Sequence, residues 1–584
     1  MTDFRIKHVH GLASVQTGGD ARLGNWPVVY MLAGGEQIYV GESLNVRNRF
    51  SQHLKSTNKK GLDNAYVVLD DSFNKSAALD LESHLVRLFA GDDQFTVLNR
   101  NLGIVDADYY DRAEYRKRFD EIVEDLRGLG LFDKSAREIE NSDLFKLSPF
   151  KALNADQEQV IQSYLIDLLR NIKNGEKSTA VVEGDPGTGK TIVGVYLMKL
   201  LKDLATAPHE DELEDESILN DPFVAANREL LNGLEIGIVV PQKALRKSIA
   251  NVFSKTPGLS SAMVMTPFQV GDSEKHFDLL IVDETHRLNH RANQPSGPNN
   301  AKFPVINERL FGADDNKYTQ ADWIVAKSDH QVFLLDTLQS VRPADLPLKT
   351  MRVLTDAAEQ QKRLYPLTSQ MRVQAGGDYI KYLREVFSDE PPVPRNFPDY
   401  DLRWYEDLRD MENALTEKEA EDGLSRMVAG YAWEWVSKGK GNEDKFDIEI
   451  DGVRRKWNVA TEDWVRSAGA PFEVGSIHTV QGYDLNYAGV IIGKDLRFDP
   501  DSKKIYFDRK NYFDKKGREN NKKLGIEYTD EEILTYVINV YVVLLTRGVK
   551  GTFVYVCDPG LREYLRQFFR DSGSSVASKN SSAS

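Results

Sequence analysis

The stretch VVEGDPGTGKTIVGVYL carries the most specific chemistry in the sequence. It fits G-x-x-x-x-G-K-[ST], with Gly184, Gly189, Lys190 and Thr191 in the fixed positions and Asp185, Pro186, Gly187 and Thr188 between them. Glycines let consecutive backbone N–H groups wrap an anion at a helix N-terminus. Lys190 supplies countercharge to β- and γ-phosphates, and Thr191 offers an oxygen to Mg2+. An apolar run at 180–182 precedes the loop and a helical pattern follows, which is the context this chemistry needs. FDLLIVDETHRL supplies the partner: a strand-like run ends in Asp283 and Glu284. Asp283 would hold Mg2+ through water, and Glu284 would activate the hydrolytic water. ATP and Mg2+ are the cofactors these residues imply.

A second constellation lies near the N-terminus, in IYVGESLNVRNRFSQHL. Arg49 and His53 fall one turn apart on a helix. Val46, Phe50 and Leu54 form its apolar face. WPVVYMLAGGEQIYVGES reads as a hairpin with a Gly-Gly turn, contributing Tyr30 from one strand and Tyr39 from the other. Ser43 or Asn45 can cap the helix that follows. NKSAALDLESHLVRLF sets Ala78, Leu81, Leu85 and Leu88 on one helical stripe, with Glu82 on the same side. A carboxylate there requires a partner, a cation or a hydrogen-bond network. FTVLNRNL gives a short strand carrying Asn99.

The elements that must position these groups fall into several domains, because 584 residues are too many for one core. With 41% hydrophobic and 28% charged residues the composition is that of a globular protein. No apolar run approaches the ~18 residues of a membrane span, and the N-terminus lacks a signal-peptide core. A single cysteine, Cys557, excludes an intramolecular disulfide framework and a cysteine zinc cluster, and a cytoplasmic location is expected. The net charge of −15 argues against a generally basic nucleic-acid binder but leaves room for a local basic groove.

The expected organisation is a small α/β unit at 1–105, a charged helical connector at 106–150, alternating helices and short strands at 151–345, a repeat of that pattern at 346–571, and a disordered tail at 572–584. Two insertions stand out, acidic at 208–221 and basic at 501–523. Solvated loops account for both. The tyrosines and phenylalanines of the second also suit base stacking. Trp433, Trp435, Trp457 and Trp464 are expected to serve packing more than stacking.

Further motifs follow in order: LNADQEQVI, in which the Gln157 amide suits an adenine edge; VFLLDTLQSVRP with Asp336 and Gln339; YPLTSQMRV with Arg372; VGSIHTVQGYDLNYAGVIIG with Gln481 and Gly482; YVVLLTRGVKGTFVYV with Arg547. This ordered series resembles superfamily 1 helicases over nearly all of 151–571. The resemblance implies two RecA-like parallel-sheet lobes with ATP between them, arginine fingers Arg372 and Arg547 from the second lobe, and Gln339 sensing the γ-phosphate. GLSRMVAGYAWEWVSKG and DIEIDGVRRKWN narrow it to the helicase-like family related to the Schlafen C-terminal module. Leu335 stands where helicases usually carry Gly before the Asp of D-x-x-Q, and the large inserted subdomains of processive unwinding enzymes are missing from the pattern.

The N-terminal unit resembles the GIY-YIG nuclease domain. VYM at 29–31 takes the GIY position and departs from its consensus, and YVG at 39–41 takes the YIG position. Arg49, His53, Glu82 and Asn99 then match the family's arginine, histidine, metal-binding glutamate and late asparagine. That implies Mg2+ or Mn2+ at Glu82, a phosphate fork from Arg49, and Tyr30 or Tyr39, with His53, taking a proton from water. The fold class expected overall is α/β: a small GIY-YIG domain followed by two RecA-like lobes. Two functions compete. One is an ATP-dependent nuclease-helicase acting on nucleic acid, DNA before RNA, in defence against foreign DNA. The other is an ATP-switched nucleic-acid or partner-binding protein that does not unwind, with a triggered or RNA-directed nuclease.

Overall fold

The computed structural model describes residues 4–11, 20–54, 59, 61–100, 108–206, 221–291, 294, 296–439, 441–442, 444–459, 464–480, 483–515, 517–518, 520 and 525–569. The N-terminal sheet runs Arg5–His10, Asn64–Leu69, Val28–Gly34, Gln37–Ser43, Thr96–Val97, antiparallel except for the last pair. Its central hairpin pairs Gly34 with Gln37, so the turn is Gly35–Glu36, one residue later than the Gly-Gly expectation. Gly35 has a φ of 57°, which glycine adopts without strain.

Strand alternation splits this sheet into two faces. Tyr30, Leu32 and Tyr39 face Val46 and Phe50 of the helix Val46–His53. Val29, Met31, Ala33, Ile38 and Val40 face Ala78, Leu81, Leu85 and Leu88 of the helix Lys75–Asp92, so that apolar stripe is a core face as its spacing indicates. Leu54 is a correction: the helix ends at His53, leaving Leu54 50% exposed while His53 is buried. The segment read as a connector also differs. Phe119, Ile122, Val123 and Leu126 of the helix Arg112–Gly128, with Ile139 and Phe145 beyond it, enter the same core as Lys75–Asp92.

Two parallel sheets follow, and they are RecA-like lobes. The first orders Leu364–Leu367, Ser178–Gly184, Ser328–Leu335, Phe277–Val282, Ile236–Val239, Val264–Met265. Val182, Ile281 and Leu334 pack on one side and Val181, Val282 and Phe333 on the other, which explains why these strands read as continuous apolar runs. Leu364–Leu367 pairs with Ser178–Gly184 in the register Leu364↔Val181, so the first sheet extends past the expected boundary at 345. The second sheet orders Asp401–Trp404, Gly548–Val556, Leu485–Ile492, Ser425–Ala429, Val474–Ser476, again all parallel.

Within the basic insertion, Phe507 and Tyr512 are buried in the second lobe's core, while Tyr506 and Phe513 keep exposed surface. Trp457 and Trp464 are fully buried, and Trp433 and Trp435 pack partly buried against the cluster that holds Trp457. The tail 572–584 and almost all of 208–221 lie outside the described residues. No described helix is long and apolar enough to cross a membrane.

Candidate functional site

The strand Ser178–Gly184 delivers the phosphate loop, and the helix Lys190–Thr206 carries it away. Gly187 and Gly189 hold φ values of 85° and 81°, and both are closely covered. A Cβ on Gly187 would lie 2.1 Å from Gln370 Oε1, and one on Gly189 would lie 2.3 Å from Gln157 Nε2. Lys190 Nζ donates to Gly184 O at 2.6 Å and Asp185 O at 2.9 Å, and lies 3.5 Å from Asp336 Oδ2. Gln339 Nε2 donates to the same Asp336 oxygen at 2.7 Å, leaving Gln339 Oε1 buried without a partner. The D-x-x-Q residues therefore close on the lysine of the loop.

Asp283 ends the strand Phe277–Val282 and is buried. Its Oδ1 accepts from the Glu284 N–H at 2.9 Å, and its Oδ2 is buried without a hydrogen-bond partner. Burial and the neighbouring Glu284 charge push its carboxyl up, against the pull of Thr191 and Lys190. A buried carboxylate oxygen with no donor, grouped with Thr191 and Lys190, fits a hard cation shared with phosphates. Glu284 takes a left-handed φ of 49°, and its Oε2 lies 2.9 Å from His286 Nε2. Burial would raise its carboxyl, but His286 and Arg287 outweigh that and hold it low, so it stays ionised.

The opposite wall of the cleft carries Arg372, Asp484 and Arg547. Arg372 lies on the segment that covers the phosphate loop: Met371 N donates to Gly187 O at 2.9 Å and Gln370 Nε2 to Pro186 O at 2.6 Å. Because that segment leaves the first sheet at Leu367, Arg372 belongs to the junction and not to the body of the second lobe. Its Nε donates to Asp484 Oδ1. Arg547 is 2% exposed, and its guanidinium donates to Val543 O at 3.2 Å and Tyr483 O at 3.4 Å. Burial, followed by the Arg372 charge, pushes its pKa down to about 9.

Gln157 departs from the adenine expectation. Its Oε1 accepts from Asn154 N at 3.3 Å in a capping box, and its Nε2 donates to Thr188 O at 3.1 Å. The amide therefore props the phosphate loop from beneath. Asn154 three residues before Gln157 is the capping-box signature that could have revealed this. Gln481 and Gly482 lie outside the described residues. Sequence reasoning missed Asp484 and Lys146, which also line the cleft.

In the N-terminal unit the structure brings Tyr30, Tyr39 and His53 together, with Arg49 acting on His53. Tyr30 Oη and His53 Nε2 are 2.7 Å apart, and Lys59 Nζ donates to His53 Nδ1 at 3.0 Å. Burial first, then Lys59 and Arg49, push the His53 pKa down to about 3, so the ring is neutral at pH 7. A lysine ammonium only donates, so Nδ1 accepts and Nε2 carries the proton, which it donates to Tyr30 Oη. Lys59 also sits 3.5 Å over the Tyr39 ring. A lysine in the charged run NKK gives no sequence signal of this.

Two of the expected residues stand apart. Asn99 accepts from Val40 N at 3.0 Å and donates to Val40 O at 2.8 Å, so its amide clamps the Gln37–Ser43 strand and is not presented to a substrate. Glu82 is half-buried on the helix that covers the face of the sheet opposite Tyr30. Among the described residues no group of three or more His, Cys, Asp or Glu could hold a metal ion.

Two parallel-sheet lobes, a GKT phosphate loop and an Asp-Glu strand end facing two arginines define a helicase-like P-loop ATPase fold. The model of the Schlafen group 3 DNA/RNA helicase domain matches residues 177–558, and the chain belongs to that family. An uncharacterized protein of Saccharomyces cerevisiae is 25% identical over 448 residues, 71% of this chain and 90% of that one. Similar solved structures include an arterivirus nonstructural protein 10 helicase with DNA, at 13% identity and TM-score 0.27, covering 69% of this chain and 65% of that one. Another is a Bacteroides Pif1 helicase with ADP-AlF3 and ssDNA, at 11% identity and TM-score 0.22, covering 67% of this chain and 91% of that one. The chain thus spans less than two thirds of the arterivirus helicase's length. The N-terminal unit lies outside the matched family segment.

Proposed function

We propose that this protein hydrolyses ATP in the cleft between its lobes, under the control of bound nucleic acid, and that its N-terminal unit cleaves phosphodiesters. The cleft carries the reading: Lys190, Thr191, Asp283, Glu284 and Gln339 face Arg372 and Arg547 across it. Lys190 and the loop N–H groups bind the phosphates, Glu284 orients and deprotonates the attacking water, and the arginines meet the charge that develops on the transferred phosphoryl group. Mg2+ held by Thr191 and Asp283 would neutralise β- and γ-phosphate oxygens. Of nucleic acids, DNA is the first expectation, and foreign DNA is the expected target. The cytoplasm is the proposed location.

The nuclease reading rests on the Tyr30–His53 hydrogen bond. Nε2–H donates to the Tyr30 oxygen, which must be a phenolate before it can take a proton from water, and Arg49 and Lys59 add positive charge nearby that would favour that phenolate. A second reading has its own observation: Tyr30 is 0% exposed and His53 4%, which leaves neither side chain open to a phosphodiester and favours an N-terminal module that does not cut.

Labelled single-stranded DNA and RNA, incubated with the full chain with and without ATP and Mg2+, test both readings. ATP hydrolysis is expected to rise with single strands. Cleavage is expected to fall by about 100-fold in Tyr30→Phe, the range for loss of a general base, with ATPase unchanged. A parent that hydrolyses ATP yet leaves both strands intact would select the module that does not cut.

A further inference from the structure

We propose that Lys146, which the N-terminal part of the chain places in the ATP cleft, is a positioning residue for hydrolysis: it fixes the Asp484 backbone, and Asp484 aims Arg372. The proposal rests on the reading that this cleft hydrolyses ATP.

The short helix Asp143–Lys146 touches three bodies at once. On the N-terminal side, Phe145 and Ile139 press against the helix Lys75–Asp92, where a Cβ on Gly91 would lie 2.7 Å from Ile139 Cγ2 and 3.0 Å from Phe145 Cβ. Arg87 stacks 4.2 Å over the Phe145 ring. On the first lobe, Ser248 Oγ donates to Asp143 Oδ2 at 2.6 Å. On the second, Arg466 pairs with Asp143 and donates to Asn141 O at 3.1 Å, and Asn141 Nδ2 donates to Asp422 O at 3.3 Å. Arg137 adds a bond to Glu419 O at 3.2 Å. The segment is therefore a clip joining the N-terminal unit to both lobes.

Lys146 is the end of that clip that enters the cleft, beside Lys190, Arg372 and Arg547. Its Nζ donates to Asp484 O at 3.2 Å. Asp484 in turn accepts from Arg372 Nε, and burial, which would raise the Asp484 carboxyl, is outweighed by Arg372 and Lys146. Asp484 immediately precedes the strand Leu485–Ile492. Fixing its backbone fixes the direction in which Arg372 is held. An arginine that must meet transition-state charge loses effect when its aim drifts, even if it stays charged. Burial pushes the Lys146 pKa down, with Arg466 and Arg372 adding to the push and Asp484 and Asp143 opposing it.

The test is steady-state ATP hydrolysis by the full chain with single-stranded nucleic acid present. Lys146→Ala is expected to lower kcat by about tenfold, as loss of one charged hydrogen bond's aim would, while KM for ATP stays within about twofold. Lys146→Arg should retain most of the rate, because the donor and the charge remain. In an Arg372→Ala background, Lys146→Ala should add no further loss, since both act through one arginine. An unchanged kcat, a loss that adds to that of Arg372→Ala, or a change confined to KM would each overturn the proposal. So would equal losses in the alanine and arginine variants accompanied by a drop in melting temperature, which marks mere structural support. A parent chain with no ATP hydrolysis at all overturns the cleft reading, and the proposal falls with it.

Discussion

Replacing Lys190 with alanine is expected to remove ATP hydrolysis and leave the protein folded. The lysine ammonium contributes nothing to the apolar cores; it donates to Gly184 O and Asp185 O and faces Asp336. The loop's shape comes from elsewhere: from Gly187 and Gly189 at positive φ, from Gln157 beneath it and from Met371 and Gln370 above it. Alanine is the best helix former, so the first turn of Lys190–Thr206 survives. What disappears is the only side-chain cation of the loop placed to offset the β- and γ-phosphate charge. Losing one preorganised transition-state donor costs about 100- to 1,000-fold in turnover, and here a full charge goes with it. Phosphate release should therefore fall by at least that factor, with the melting temperature close to the parent's. Turnover near the parent rate in a folded variant would defeat the phosphate-loop assignment.

The chemistry of this cleft is legible in the sequence where it depends on local backbone, and hidden where it depends on long-range packing. GDPGTGKT needs its glycines because Gly187 and Gly189 must be left-handed and crowded, so composition and spacing reveal it. The parallel strands are legible because both faces are buried, which writes them as apolar runs. Leu364–Leu367 is not: four residues with Pro366 in their midst carry no signal of which sheet they join, and only pairing with Val181–Gly184 decides it. The boundary at 345 is misplaced for that reason, and with it the assignment of Arg372 to the second lobe. Lys59 and Lys146 are invisible for another reason. A lysine in a charged stretch reads as solvated, and nothing local says that a distant histidine or a distant turn will receive it. His53 and Leu54 show the limit of periodicity: hydropathy favours burying the leucine, but the helix stops first.

Arg547→Ala is expected to lower kcat about 100-fold or more with little change in ATP affinity, the signature of a contact made in the transition state. Its surroundings argue for this. The guanidinium is 2% exposed, held by two backbone carbonyls, and set near Arg372, so two cations face one cleft with Asp484 as their carboxylate neighbour. Burying a second positive charge there is unfavourable, which is why its pKa is pushed down to about 9. An anion that grows in charge during the reaction relieves that cost most when the charge is greatest. Arg547 stays protonated throughout the working pH range, because a guanidinium keeps its proton in proteins; the downward push from burial and from Arg372 measures how unfavourable the buried charge is before an anion arrives. Arg547→Lys should rescue poorly, because one ammonium cannot keep Val543 O and Tyr483 O while also reaching a phosphoryl oxygen. A variant that loses affinity and keeps kcat would make Arg547 a ground-state ligand instead. The two outcomes separate cleanly in a plot of rate against ATP concentration, because only the first lowers the plateau.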